Sequence, residues 1–89
     1  MVRAAGELDW ATTPALRARL QRELESHPGG VVVDLTRVTF ADCAALGTLI
    51  AARNHAAELG RRLKLRGTPP PVTRLLKATG TYALFPQDA

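Results

Sequence analysis

The residues with the clearest capacity for chemistry are an aspartate and a cysteine that stand side by side, Asp42 and Cys43. They open a stretch with a helical pattern, so the positive end of a helix dipole is expected at Cys43, where it would favour a reactive thiolate. Asp42 opposes the thiolate with its own negative charge, and the chain has no second cysteine to resolve a sulfenic acid. The sequence therefore favours Asp42 as a helix N-cap and Cys43 as a small, semi-buried thiol rather than a redox sensor.

Other catalytic or metal-binding arrangements are missing from the sequence. One cysteine cannot form an internal disulfide, and with only His27 and His55 beside it there are too few ligands for a structural zinc ion. There is also no glycine-rich phosphate loop and no nucleophile paired with a base. We therefore expect no enzymatic activity and no cofactor.

The positive charge of the chain raises the question of nucleic acid. There are 12 basic and 8 acidic side chains, for a formal charge of +4. The basic residues are clustered only from Arg61 to Arg66, and no aromatic residue stands among them to stack on a base. We therefore expect solvated surfaces and no nucleic-acid site. Because no apolar run approaches the roughly 18 residues of a membrane span, and no signal peptide is visible, we also expect a cytoplasmic protein without membrane insertion.

The first half of the chain alternates between strand and helix patterns. Val2–Leu8 is a weak strand candidate, and Thr12 with Pro14 marks the start of a helix whose leucines recur every four residues. Val31–Leu35 is the strongest strand signal, and its consecutive valines predict a central strand that is covered on both faces. Thr36–Phe40 is predicted to form a turn and an apolar return.

The second half continues the alternation. We predict a helix over Cys43–Leu59 that ends at Gly60, a strand over Leu63–Gly67 with one solvated face, and a helix over Val72–Thr79. Tyr82–Phe85 is expected to be a final short strand or an extended tail. The buried face of the helix from position 43 is predicted to hold Leu46, Leu49, Ile50, Ala56 and Leu59. Together these elements predict a single α/β domain with helices packed on a central sheet.

Three segments carry a resemblance to a known family. Residues 31–49, the turn Gly6-Glu7-Leu8-Asp9 and the segment from Thr68 to Val72 resemble the signature of STAS domains, the family of anti-sigma factor antagonists. The resemblance covers nearly the whole chain and implies one STAS domain over residues 1–89. It implies a central mixed sheet of about four strands with three helices packed on it. Only five residues precede Gly6, so the usual N-terminal strand is expected to be shortened or missing.

The resemblance also implies a function. In that family a small domain binds an anti-sigma factor that is also an ATP-dependent serine kinase, and binding releases a sigma factor. Phosphorylation of the Ser or Thr directly after a motif aspartate then abolishes binding, since a phosphate adds about −1.5 to −2 charge to the docking surface. Carried onto this sequence, the partner-binding positions are Asp9, Thr36, Thr39, Asp42, Cys43, Ala44, Ala45 and Leu46.

Two positions depart from the family's motif. Cys43 stands where the phosphoacceptor hydroxyl is expected, and Ala45 replaces a glycine, which adds a methyl group where the backbone of a partner would approach. We therefore expect the docking surface without the phosphorylation switch. The alternative is a STAS subunit of a membrane-associated transport complex that docks on a permease or an ATPase. An open sheet edge also makes a homodimer conceivable.

Overall fold

The computed structural model describes residues 1–88, which alternate between strands and helices along the chain. The elements are β1 (Val2–Leu8), α1 (Thr13–Ser26), β2 (Val31–Ala41), α2 (Cys43–Glu58), β3 (Leu63–Arg66) and α3 (Pro70–Ala78), followed by a 3₁₀ turn at Tyr82–Leu84. The predicted α/β class is confirmed, and each of the three predicted helices is present within two residues of its expected start.

The sheet has three strands in the order β1-β2-β3, and both strand pairs are parallel. The expectation of a mixed sheet of about four strands is therefore corrected, because each strand in residues 1–88 is joined to the next by a helical crossover, which returns the chain in the same direction. Right-handed crossovers place α1 and α2 on the same face of the sheet, where they pack against each other.

The last residues of the described chain differ in part from the prediction of a strand or an extended tail. Tyr82–Leu84 forms a 3₁₀ turn, so the prediction of a strand or extended tail over these residues is wrong. The chain reaches the sheet three residues later, where Gln87 makes a single parallel bridge to Leu65 of β3. The backbone N–H of Leu65 donates to Pro86 O at 2.9 Å, and Asp88 N–H donates to Leu65 O at 2.7 Å.

The core lies between one face of the sheet and the helices. Alternate residues of the strands are buried, as Val31, Val33 and Leu35 show in β2. Val32, on the opposite face, is only half-buried, so the expected two-sided cover of β2 is not found. Leu20 and Leu24 of α1 are fully buried, which confirms the apolar stripe of that helix.

Strand β2 is longer than expected and continues straight through the predicted turn. It runs to Ala41, and two register irregularities against β1 absorb the extra residues. Leu35 and Thr36 lie opposite a single residue of β1, and Thr39 is the extra residue of the second irregularity. The strand therefore ends at Ala41, and only Asp42 separates it from the start of α2.

Helix α2 buries its small residues rather than its largest ones. Its buried side chains are Ala45, Thr48, Leu49, Ala52 and Ala56. Leu46 and Ile50 are half-buried and Leu59 is exposed, so the predicted buried face is correct at Leu49 and Ala56 and shifted elsewhere. The helix ends at Glu58, one residue earlier than predicted, and Gly60 follows its C-cap Leu59 as expected. The φ of Gly60 is +68°, and Arg61 N–H donates back to Ala56 O at 2.8 Å.

Candidate functional site

The carboxyl ends of β1 and β2 meet at one edge of the sheet. Leu8 pairs with Ala41, and Asp42 N–H donates to Leu8 O at 3.3 Å. Asp9 and Asp42 therefore follow two adjacent parallel strands. This is the end of an open α/β sheet at which ligands and partners usually bind, since loops gather there without blocking the strands.

Asp42 holds the start of α2. Its Oδ1 accepts hydrogen bonds from Ala44 N–H at 2.9 Å and Ala45 N–H at 3.3 Å. These are two of the backbone donors that a helix N-terminus leaves without a partner in the helix. The predicted N-cap is confirmed, and Asp42 thereby fixes the orientation of the residue that follows it.

Asp9 organises the turn between β1 and α1 in a similar way. Its Oδ1 accepts from Ala11 N–H at 2.9 Å and Thr12 N–H at 3.0 Å, and Thr12 Oγ1 donates to Glu7 O at 2.8 Å. The formal N-cap Thr12 makes no side-chain hydrogen bond to the helix. The turn is instead closed by Asp9, which holds residues 9–12 beside the start of α2.

Cys43 is the first residue of α2, and its side chain is exposed. The expected semi-buried thiol is therefore corrected to a thiol at the surface. Gly47 lies one helical turn further on and is also exposed, and the position of a Cβ added there meets no atom within 4 Å. The first two turns of α2 consequently expose a small side chain at Cys43 and none at Gly47, so another protein can approach the helix closely.

The next residues of the motif are not equally accessible. Ala44 and Leu46 are half-buried, whereas Ala45 is only 1% exposed and belongs to the core. Ala45 thus does not present its methyl group to a partner, contrary to the expectation from the motif. Its Cβ instead fills the contact between α2 and the sheet.

The two threonines of the predicted set lie on β2, away from the cysteine. Thr39 is exposed three residues before Asp42. Thr36 is five residues before the strand's last residue, or about 16 Å along an extended chain. The structure therefore brings together Asp9, Asp42, Cys43 and Ala44, and leaves Thr36 outside this group.

Thr36 has a structural setting of its own. Its N–H and Oγ1 both donate to Asp34 Oδ1, at 2.9 and 2.5 Å. The hydroxyl bond, then the backbone bond, lowers the pKa of Asp34 below its ordinary value of 3.8, with smaller contributions from Arg3 and Arg66. Arg3 and Arg66 are the register neighbours of Asp34 on β1 and β3, so the three side chains form a row of alternating charge across the sheet.

Two aromatic side chains beside the aspartates were missed by the sequence analysis. Trp10 is 79% exposed and Phe40 is 51% exposed, although large aromatics usually contribute to the core. Trp10 follows Asp9, and Phe40 lies two residues before Asp42 and pairs with Glu7. Their sequence signal was available, because in a chain with four aromatics a tryptophan placed in a turn is a candidate for binding.

We call the group formed by Asp9, Trp10, Phe40, Asp42 and Cys43 the acidic–aromatic surface. Within residues 1–88 no cluster of three or more His, Cys, Asp or Glu side chains is arranged to hold a metal ion. Nor is any helix in that part of the chain both long and apolar enough to cross a membrane. An exposed patch of carboxylates, aromatics and small residues is typical of a protein-binding surface.

The fold is that of a small α/β domain, and the comparison with known families identifies the family to which it belongs. The family model described as "Mlab, STAS domain" matches residues 1–85, so the chain belongs to the STAS domain family.

Curated relatives support a regulatory class. The chain is 26% identical over 87 residues to an anti-sigma F factor antagonist of Paenibacillus polymyxa, covering 97% of this chain and 74% of the relative. It is 29% identical over 84 residues to a STAS-domain containing protein of Pseudomonas aeruginosa, covering 94% of this chain and 82% of the relative. The chain is therefore an anti-sigma factor antagonist-like STAS domain.

Solved structures support the fold. The unphosphorylated form of the anti-sigma factor antagonist SpoIIAA is similar with a TM-score of 0.76 and 18% identity, over 98% of this chain and 76% of that one. A Thermotoga maritima protein regarded as an anti-sigma factor antagonist is similar with a TM-score of 0.83 and 19% identity, over 94% of this chain and 74% of that one. At this level of identity the likeness establishes the fold alone.

Proposed function

We propose that this domain is a non-enzymatic regulator in the cytoplasm that binds a kinase-type anti-sigma factor and thereby releases a sigma factor. The observation that carries the proposal is the acidic–aromatic surface. It lies at the sheet edge where Asp9 follows β1 and Asp42 follows β2, beside the start of α2. Trp10 supplies a large exposed anchor of the kind that dominates binding energy at protein interfaces.

The surface is suited to binding before the partner arrives. Asp9 and Asp42 each use Oδ1 to hold backbone N–H groups in place, so the loop and the helix start are already ordered. A surface that is ordered in the free protein loses less conformational entropy when it binds. Because Cys43 has a small side chain and Gly47 has none, a partner can come into close contact with this part of α2.

The same geometry supports a domain that lacks a phosphorylation switch. Cys43 occupies the exposed position at the start of α2, where a kinase would need a serine or threonine hydroxyl. Ala44 and Ala45 have no hydroxyl, and Thr48 is 6% exposed and buried in the core. A kinase docked at Cys43 therefore meets no accessible hydroxyl on the first two turns of α2.

A second candidate is a STAS subunit of a membrane-associated transport complex, which docks on a permease or an ATPase. It is favoured by the cysteine that stands in place of a phosphoacceptor hydroxyl at position 43. A subunit that stays bound to its complex does not need a phosphate to release its partner, so a cysteine at this position does not impair its function.

A pull-down from cell lysate with the wild type and Cys43→Ser separates the two candidates. Recovery of an ATP-binding anti-sigma factor by both proteins supports antagonist function, whereas recovery of a permease or a transport ATPase supports the second candidate. After ATP is added, intact-mass measurement is expected to show a gain of about 80 Da, one phosphate, on Cys43→Ser and none on the wild type. A stoichiometric gain on the wild type would exclude the lost switch.

A further inference from the structure

A cavity of about 220 Å³ lies at the opposite end of α2 from Cys43, between that helix, the start of β3 and the tail after α3. It is lined by three arginines and an apolar wall, namely Arg53, Arg61, Arg62, Leu63, Leu84 and Pro86. We call it the arginine cavity. The helix residues that line it, Arg53 and Ala57, are about 15 to 21 Å from Cys43 along α2, so one side chain does not reach both sites.

Two of the three arginines are bonded to the rest of the fold, Arg61 through its side chain and Arg62 through its backbone. Arg61 Nη1 donates to the carbonyl oxygens of Leu24 and Glu25, at 2.7 Å for the latter, where α1 ends with unpaired acceptors. The carbonyl oxygen of Arg62 accepts from Val31 N–H at 2.9 Å, which fixes its backbone against the start of β2. The Arg61 guanidinium and the backbone that carries Arg62 are therefore in place before a ligand binds.

The positive charge of the cavity is not neutralised by the described chain. No carboxylate among residues 1–88 lines it, and the ion pairs in that range join other groups: His27 to Glu23, His55 to Glu25, and Arg66 to Asp88. Arg53 Nη1 donates to the neutral side chain of Asn54 at 3.3 Å. Several guanidinium donors thus face the cavity without a negative partner.

The wall of the cavity adds an apolar component. Leu84 is 38% exposed, although leucine side chains are usually buried, while Leu63 beside it is 4% exposed and continuous with the core. A ligand that matches this surface carries carboxylates for the guanidinium groups and an aliphatic side chain for Leu84 and Pro86. A nucleic acid would need aromatic stacking partners or a long basic track, and neither lines this cavity.

We infer that the arginine cavity is a second docking site, which takes an acidic segment of a protein partner with glutamate or aspartate side chains flanking a leucine-like one. Arg53 and Arg62 bind the carboxylates, and Leu84 receives the aliphatic side chain. Arg61 contributes charge while it also holds the end of α1. This inference does not depend on what binds at Cys43, and it gives the domain two faces for two protein contacts.

Fluorescence anisotropy with a labelled peptide of alternating glutamate and leucine tests the inference, with the same peptide carrying glutamine in place of glutamate as its control. The 89-residue protein is expected to bind the glutamate peptide saturably and the glutamine peptide weakly or not at all. The double variant Arg53→Gln/Arg62→Gln is expected to bind the glutamate peptide about tenfold more weakly. Arg61 is left unchanged because it also stabilises α1.

The matched control is Arg17→Gln/Arg22→Gln, which removes the same charge from exposed positions of α1 outside the cavity. It is expected to bind the peptide like the wild type, and all variants are expected to share one urea midpoint. Equal loss in both double variants, equal binding of the two peptides, or no binding at all would overturn the inference. Arginine-dependent binding to phosphatidylglycerol vesicles without binding to the peptide would assign the cavity to a membrane surface instead.

Discussion

The two ends of α2 are opposite in charge and in the kind of apolar group they expose. The N-terminal end has two carboxylates, two exposed aromatics and a thiol, whereas the C-terminal end has three arginines and an exposed leucine. Asp42 at the N-terminal end and Arg61 and Arg62 just beyond the C-terminal end agree with the helix dipole, whereas Glu58, the last residue of α2, does not. The difference teaches that one short helix can present two chemically distinct surfaces while its middle packs the core.

Two glycines near these surfaces, Gly30 and Gly47, differ in how closely other atoms approach them. A Cβ added at Gly30, near the arginine cavity, would lie 2.2 Å from Arg62 O, whereas one added at Gly47, near Cys43, would meet nothing within 4 Å. The backbone of Arg62 is consequently tied to the residue before β2, whereas the surface at Gly47 is open, as it also is at Gly60 directly after α2. The changes below test this contrast, in order of decreasing effect.

Gly30→Ala is expected to destabilise the domain most. The φ of Gly30 is +96°, which alanine adopts only with strain, and the new methyl group would clash with backbone atoms of Arg62. Together these effects are expected to lower the free energy of unfolding by about 3 kcal/mol or more. Urea denaturation measures the loss, and an unchanged midpoint would contradict the tight packing described at Gly30.

Trp10→Ala is expected to weaken partner binding without affecting stability. The side chain is 79% exposed, so its removal leaves no cavity in the core. As a central anchor it is expected to contribute about 2 kcal/mol to binding, roughly a 30-fold change in affinity. Calorimetric titration with the captured partner checks this, and Leu59→Ala is the matched control because Leu59 is 39% exposed at the other end and lies outside the arginine cavity. Equal losses for the two variants would remove the contrast between the ends.

Arg61→Gln is expected to cost stability where Arg62→Gln does not. The Arg61 guanidinium donates to the last carbonyl groups of α1, and losing charged hydrogen bonds of this kind costs about 1.5 kcal/mol. No side-chain hydrogen bond of Arg62 is found within residues 1–88. Thermal unfolding of the two variants side by side is the measurement, and equal melting temperatures would show that Arg61 does not hold the end of α1.

Gly47→Ala is expected to stabilise the domain slightly. The position lies inside α2, is exposed and has open space for a methyl group, so the better helix propensity of alanine acts alone. The gain is expected to be about 0.5–1 kcal/mol. The same methyl group stands beside Cys43 and is expected to weaken partner binding. A loss of stability in the urea midpoint would mean that this end is packed more tightly than described.

Asp34→Asn is expected to have the smallest effect, confined to acid pH. Because hydrogen bonds from Thr36 lower the folded-state pKa of Asp34, its contribution is complete above the ordinary value of 3.8 and is lost as the pH falls through the lower folded-state pKa. The wild type should therefore lose more stability than Asp34→Asn on acidification through this range. Parallel acid titrations of the two proteins by circular dichroism test the sign.

Much of the fold was predictable because its elements have strong local signals. The consecutive valines at 31–33 and the leucines four residues apart in α1 identified β2 and α1, and Gly60 marked the end of α2. The Asp42 cap was also predictable, because an aspartate directly before a helical pattern commonly accepts hydrogen bonds from the free backbone N–H groups of the first turn.

The predictions that were wrong concern residues whose conformation or burial is determined by tertiary contacts rather than by the local sequence. Residues 36–40 stay in the strand because pairing with β1 continues past two bulges, which no local pattern reveals. Ala45 is buried because α2 packs closely on the sheet with its small residues, and the sequence does not fix the rotation of a helix with apolar residues on several sides. The exposure of Trp10 and Phe40 likewise depends on which strand end faces solvent.

The most direct test of the proposed function is a calorimetric titration of the captured anti-sigma factor with the wild type and with Cys43→Ser, each with and without ATP. The account predicts that the wild type binds equally well in both conditions, because Cys43 accepts no phosphate, and that Cys43→Ser loses its affinity when ATP is present. ATP-dependent release of the wild type, accompanied by phosphate on the protein, would contradict the account.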